Sequence, residues 1–150
     1  MNLILWRHAD AEDGTPDIKR RLTEKGKRQA RLMAEWLRGH LPDNVRVLVS
    51  PAVRARQTAD ALGMDYSILD EVAPDVAPST LLAAAGWPTA GDSVLVVGHQ
   101  PTLGMAASQL IVGDESLLNM KKGAIVWIVR EEGSEGATNV LKAAMSPEML

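Results

Sequence analysis

Three short segments, Asn2–Trp6, Val45–Val49 and Val94–Val97, are nearly continuous runs of valine, leucine and isoleucine. A strand wetted on one face alternates apolar and polar residues, so runs without alternation fit strands covered on both faces, as in a parallel sheet between helices. Between the first two runs, Ala30, Met33, Trp36, Leu37 and Leu41 recur at three- and four-residue steps, with Lys25, Lys27, Arg28, Arg31, Glu35 and Arg38 on the other side. This spacing predicts an amphipathic crossover helix over Thr23–Leu41. Thr23 suits its N-cap, and Pro42 with the following Asp43-Asn44 marks a stop.

Ser50-Pro51 reads as the cap and first residue of a second helix, with Ala52–Leu62 continuing it to Gly63. Tyr66–Leu69 reads as a short strand, Ser79–Ala85 as a short helix, and Pro101 as the opening of a helix reaching Ile111. Ala124–Val129 and Asn139–Ala144 read as late strands, separated by the polar Glu131–Gly136. The alternation predicts a three-layer α/β/α sandwich around a mostly parallel sheet, as one domain over residues 1–150, with the direction of the edge strands left open.

Of the 150 residues, 46% are hydrophobic and 23% charged, enough for one substantial core. Sixteen basic against 19 acidic side chains give a formal charge of −3, which supplies no whole-molecule attraction to nucleic acid, and no such partner is expected. The absence of cysteine excludes disulfides, thiolate metal ligation and a cysteine nucleophile. No run approaches the roughly 20 apolar residues of a membrane span. Met1–Trp6 is too short for a signal peptide, so a cytoplasmic protein without a membrane partner is expected.

In an open α/β sheet, ligands sit beyond the carboxyl ends of the strands. Arg7-His8 follows the first apolar run, Ser50–Arg56 the second, and Gly98-His99-Gln100-Pro101 the third. Two histidines and at least two arginines therefore converge on one sheet edge. Guanidinium forks match the oxygens of a phosphoryl group, and helix N-termini add unpaired N–H donors. A neutral imidazole can attack phosphorus to give a phosphohistidine that water cleaves. His8 then attacks, its other ring nitrogen held by a backbone carbonyl, while His99 serves as a charged donor to the phosphoryl oxygens.

Leu5-Trp6-Arg7-His8-Ala9-Asp10-Ala11, Arg21-Leu22-Thr23 with Gly26, Ser50-Pro51 with Arg54-Ala55 and Gln57-Thr58-Ala59, and Val97-Gly98-His99-Gln100-Pro101, in this order, resemble the histidine phosphatase superfamily. The brevity of the chain, its Arg-His-Ala-Asp-Ala opening and its terminal Met145-Ser146-Pro147 resemble the small SixA-type phosphohistidine phosphatase branch. The resemblance implies a phosphoglycerate mutase-like fold and phosphorylation of His8. It implies a phosphate pocket of Arg7, Arg54 and His99 joined by Arg21, and no metal or organic cofactor. Ala9 stands where the superfamily commonly has glycine; a positive φ there would strain alanine, and the expectation is a tolerated change.

Leu62–Ser93 is too short for a sizeable lid, and the candidate general acids are Glu71 and Asp10. A phosphohistidine loses its imidazole readily once protonated, so an open site with few acids suits it better than an alkyl phosphate. The expected partner is thus a phosphohistidine-bearing protein, with phosphate or another oxyanion in the pocket. Alternatives are a small-molecule phosphomonoesterase using the same nucleophile and a phosphoprotein-binding module without turnover; a mutase would need an enclosing lid. Arg56, His40 and Lys121-Lys122 read as surface groups, and Glu12 and Asp13 as solvated loop acids. Trp36, Trp87 and Trp127 read as packing, and Trp6 as a neighbour of the pocket.

Overall fold

The computed structural model describes residues 1–150. The elements run β1 (Asn2–Arg7), α1 (Glu24–Arg38), β2 (Val45–Val49), α2 (Val53–Asp60), β3 (Ser67–Ile68), α3 (Pro78–Ala85), β4 (Ser93–Gly98), α4 (Thr102–Ile111), β5 (Ile125–Gly133) and β6 (Gly136–Met145). One six-stranded sheet has the order β3-β2-β4-β1-β5-β6. β1, β2, β3 and β4 are parallel, whereas β5 runs antiparallel to β1 and β6 antiparallel to β5. The late strands thus form an antiparallel hairpin along one side of a parallel sheet.

The three apolar runs are the middle of this sheet. Leu3, Ile4, Leu5 and Trp6 of β1 are all fully buried, as are Val94, Leu95, Val96 and Val97 of β4. Alternate side chains leave on opposite faces. Ile4, Trp6, Leu95 and Val97 join Met33 and Leu37 of α1 and Ala55 and Ala59 of α2 in one core cluster. Leu3, Leu5, Val94 and Val96 join Leu81 of α3 and Leu103 and Ala106 of α4 in the other. The chain moves outward from β1 to β2 to β3, then turns back to insert β4. Right-handed crossovers therefore place α1 and α2 on one face and α3 on the other.

Local chemistry refines the element ends. Thr23 Oγ1 accepts the Gly26 N–H at 2.9 Å, as an N-cap should. α1 stops at Arg38, short of Leu41. The second helix departs from expectation. Ala52, not Ser50, is its N-cap residue, and Ser50 Oγ instead accepts the Ala52 N–H at 3.1 Å. The Tyr66–Leu69 strand shrinks to two residues, pairing only with Leu48 and Val49 of β2. No helix is long and apolar enough to cross a membrane.

Gly26 explains why a glycine is needed inside α1. A Cβ there would stand 1.9 Å from the Asp10 carbonyl oxygen, so only a bare backbone lets the first turn of α1 meet the loop that follows β1. Thr23 N–H donates to that same carbonyl at 3.0 Å. Gly26→Ala is expected to cost about 1–3 kcal/mol of stability by overpacking and to weaken oxyanion binding by shifting the loop that carries His8. Urea unfolding and phosphate titration would measure both; unchanged stability would contradict this reading of the contact.

Candidate active site

The carboxyl ends of β1, β2 and β4 lie side by side, and the loops leaving them enclose a cavity of about 420 Å³. Its walls include Arg7 at the end of β1 and His8 after it, Arg54 on α2, and His99 and Gln100 after β4. His8, Arg54 and His99 are each at most 6% exposed. The His8 and His99 ring centroids are 5.1 Å apart. The structure thus brings Arg7, His8, Arg54 and His99 together from three separate segments.

Two contacts fix the His8 tautomer. Its Nδ1 lies 2.7 Å from the Ala9 carbonyl oxygen, which can only accept, so Nδ1 carries the proton. Nε2 is then a lone pair, and it accepts the Arg54 Nε–H at 3.3 Å. Burial, opposed by the Ala9 hydrogen bond and helped by Arg54, Arg7 and Arg20, pushes the His8 pKa down to about 4. The imidazole is neutral at pH 7, with its free nitrogen facing the cavity.

His99 differs from expectation in charge. Burial first, then His8 and Arg54, push its pKa down to about 3, so it is a neutral ring and not the charged donor expected from sequence. Arg54 Nη2, a donor, lies 3.3 Å from His99 Nδ1, so Nδ1 accepts and Nε2 donates to Ser50 Oγ at 2.7 Å. A seated phosphoryl dianion would favour the protonated ring by direct attraction.

Arg54 is held from both sides. Besides the two histidines, it donates to the Asp17 backbone oxygen at 2.9 Å and to Asp17 Oδ2 at 3.1 Å. Arg20 Nε donates to the other Asp17 oxygen at 2.9 Å. Arg20 first and then Arg54 hold the Asp17 carboxyl below the usual range. Arg7 donates through Nη1 to the Met120 carbonyl at 2.7 Å, while its buried Nε has no protein acceptor. That is a donor available to an anion.

Other motif residues staple backbone. Thr58 Oγ1 accepts the Ala9 N–H at 3.0 Å and donates to the Arg54 carbonyl at 2.8 Å, tying the loop after β1 to α2. Gln29 accepts the Asp10 N–H at 2.9 Å and Gln57 the Leu22 N–H at 2.7 Å. Ala9 is fully buried and has no positive φ, so alanine in place of glycine carries no backbone strain.

Several sequence expectations are displaced. Arg21 is exposed and lies outside the cavity; the neighbouring Arg20 lines it, turned inward by Asp17. Glu71 is exposed. Asp10 is committed to Lys122 at 2.8 Å and to Thr23 at 2.7 Å, and neither Glu71 nor Asp10 lines the cavity. The carboxylates that do are Asp17 and Asp75. Lys122, read as a surface group, also lines it. Trp6 is buried in the core with its indole N–H donated to Gly123 at 3.0 Å, rather than standing at the pocket. The Arg20 and Asp17 spacing of three residues was the available signal for that pair; nothing in sequence marked Asp75.

A neutral imidazole with a free nitrogen, ringed by guanidinium groups at the carboxyl edge of an α/β sheet, is the chemical makeup of a phosphoryl-transfer site. The profile of the histidine phosphatase superfamily (branch 1) matches residues 3–74. Phosphohistidine phosphatase SixA of Escherichia coli K12 is 33% identical over 150 residues, covering 93% of this chain and 91% of that protein. The chain belongs to the histidine phosphatase superfamily. A solved structure of the protein histidine phosphatase SixA with tungstate superposes with a TM-score of 0.80 at 31% identity, covering 99% of both chains. A mycobacterial glucosyl-3-phosphoglycerate phosphatase shares the fold with a TM-score of 0.68 at 17% identity, over 95% of this chain and 97% of that one.

The depressed histidine pKa values set a pH response. From about pH 6.5 down to about 4 for His8 and about 3 for His99, the unfolded chain takes up protons that the folded chain refuses, so stability falls as pH is lowered through that window. In ¹⁵N spectra of histidine-labelled protein, both rings are expected to remain neutral at pH 5.5. Titration of either near pH 6.5 would contradict the burial described here.

Proposed function

We propose that this chain hydrolyses phosphohistidine on a protein through a covalent intermediate on His8. The observation that carries the chemistry is the free, neutral Nε2 of His8 held against Arg54. The Nε2 lone pair bonds to phosphorus as the phosphorus–nitrogen bond of the substrate breaks, and the departing imidazole takes up a proton. Water then attacks the phosphorus of phospho-His8, the P–Nε2 bond breaks, and inorganic phosphate leaves with His8 restored. Arg54 gives up its contact with Nε2 to a phosphoryl oxygen, joined by Arg7, Arg20 and His99. Tungstate, in the related SixA structure, is a tetrahedral oxyanion of the kind such a pocket would take.

Two features support a protein-borne phosphohistidine. Most of the segment between β3 and β4 packs on the sheet as α3, with Leu81 and Ala85 in the core, and only Pro74 and Asp75 of it reach the cavity wall. The likeness to SixA also extends along nearly the whole chain. A small-molecule phosphomonoesterase is the second reading, because a sugar-phosphate phosphatase uses the same fold. A binding module without turnover fits less well, since binding requires the arginines but not a lone pair aimed into the pocket.

His8→Ala is expected to abolish hydrolysis while leaving phosphate affinity within about threefold, because the arginines remain. Acid-labile ³²P labelling should appear on wild type and vanish in the variant. Residual turnover equal to wild type would reject the covalent scheme. A side-by-side assay of phosphohistidine protein and alkyl phosphates separates the two substrate readings.

The proton for the leaving group is assigned here to Asp75, in place of Glu71 and Asp10. Of the two carboxylates lining the cavity, Asp17 is tied to Arg54 and Arg20, whereas Asp75 makes no ion pair. Asp75→Asn should slow an alkyl phosphate at least about tenfold while sparing p-nitrophenyl phosphate, whose leaving group needs no proton. Equal loss on both would remove Asp75 from that role.

A further inference from the structure

A second cavity of about 640 Å³ adjoins the first, and Arg7 and Lys122 line both. One wall is the outer face of α1, through Lys25, Arg28, Gln29 and Leu32; the other is formed by Lys121 and Lys122 before β5 and by the carboxyl-terminal Ser146–Glu148 turn. Five of the chain's sixteen Lys and Arg residues surround this one groove, and Glu148 is its single carboxylate. The chain as a whole carries −3. The positive charge is therefore concentrated, and it is concentrated beside the pocket.

The cations are unevenly engaged. Lys121 pairs with Glu148, and Lys122 with Asp10. Lys25 and Arg28, both exposed, have no carboxylate within ion-pair distance. Lys25 lines the groove with Arg28, one helical turn apart on α1. Exposed, unpaired cations in a row contribute little to stability, but they attract and orient an oppositely charged surface.

We infer that this groove docks an acidic surface of the phosphohistidine-bearing protein, with Lys25 and Arg28 meeting carboxylates that flank the phosphorylated histidine. The inference rests on the phosphohistidine reading above and deepens it by naming the chemistry of the partner. Continuity through Arg7 and Lys122 sets the geometry: a chain delivering its phosphoryl group to His8 must cross the mouth where the two cavities join. A nucleic acid is a poorer fit. The groove offers no aromatic ring for base stacking, and its apolar lining is limited to Leu32 and Pro147.

The test uses the full chain, wild type and the double variant Lys25→Glu with Arg28→Glu, on three probes. Two are phosphohistidine peptides prepared with phosphoramidate, identical except for four glutamates or four glutamines flanking the phosphohistidine; the third is p-nitrophenyl phosphate. Wild type should favour the acidic peptide by about tenfold in kcat/KM at low ionic strength, and that preference should fade in about 0.5 M salt. The double variant should lose the preference while turning over p-nitrophenyl phosphate and the neutral peptide at wild-type rates. Equal wild-type rates on the two peptides would overturn the docking proposal. So would a variant that slows all three probes alike, since the substitutions would then act on the pocket. Failure of wild type on both peptides, with p-nitrophenyl phosphate still cleaved, would reject the phosphohistidine reading and the docking proposal with it.

Discussion

Everything in this site turns on one buried guanidinium. Arg54 is 4% exposed, and a charge so placed is tolerated only where its N–H donors find partners. Its partners are the free nitrogen of His8, the Nδ1 of His99, and the backbone and carboxylate of Asp17. Burial is the main reason both imidazoles are neutral, and the nearby guanidinium adds to it, because a fixed positive neighbour opposes a second one. One side chain thus touches both imidazoles and Asp17 and links the three segments that meet at the cavity. Asp17, which supplies the countercharge, is the group an incoming phosphoryl oxygen must rival.

The fold makes that arrangement possible by insertion of β4 between β1 and β2. Chain segments distant in sequence end at the same level of the sheet, and each releases one or two functional side chains there. The backbone is then pinned. Thr58 joins the loop after β1 to α2, while Gln29 and Gly26 fit it to α1. Part of the sequence motif is therefore scaffolding, with Thr58 and Gln57 spent on backbone N–H groups and Asp10 on Lys122 and Thr23.

Legibility in the sequence followed the same division. The buried strands could be read because full burial on both faces leaves an unbroken apolar run, and the convergence of Arg7, His8, Arg54 and His99 followed from strand ends alone. What could not be read depends on side-chain direction in irregular segments. Arg20 and Arg21 are adjacent and chemically alike, and only the contact with Asp17 decides which turns inward. Asp75 sits in a loop with a left-handed φ of 66°, and periodicity says nothing about such a position. The neutral state of His99 came from burial combined with two cationic or imidazole neighbours, a sum that needs coordinates.

The edge made by β3 has a consequence for how the protein behaves in a crowded solution. With only Ser67 and Ile68 paired, the last strand on that side is too short to template another chain along its length. Nearby on β2, Arg46 donates to Asp92 at 2.6 Å and to the Ala85 carbonyl at 2.9 Å, tying the strand to the segment before β4 and to the end of α3. At this edge, therefore, little strand backbone is available for fibril-like self-association.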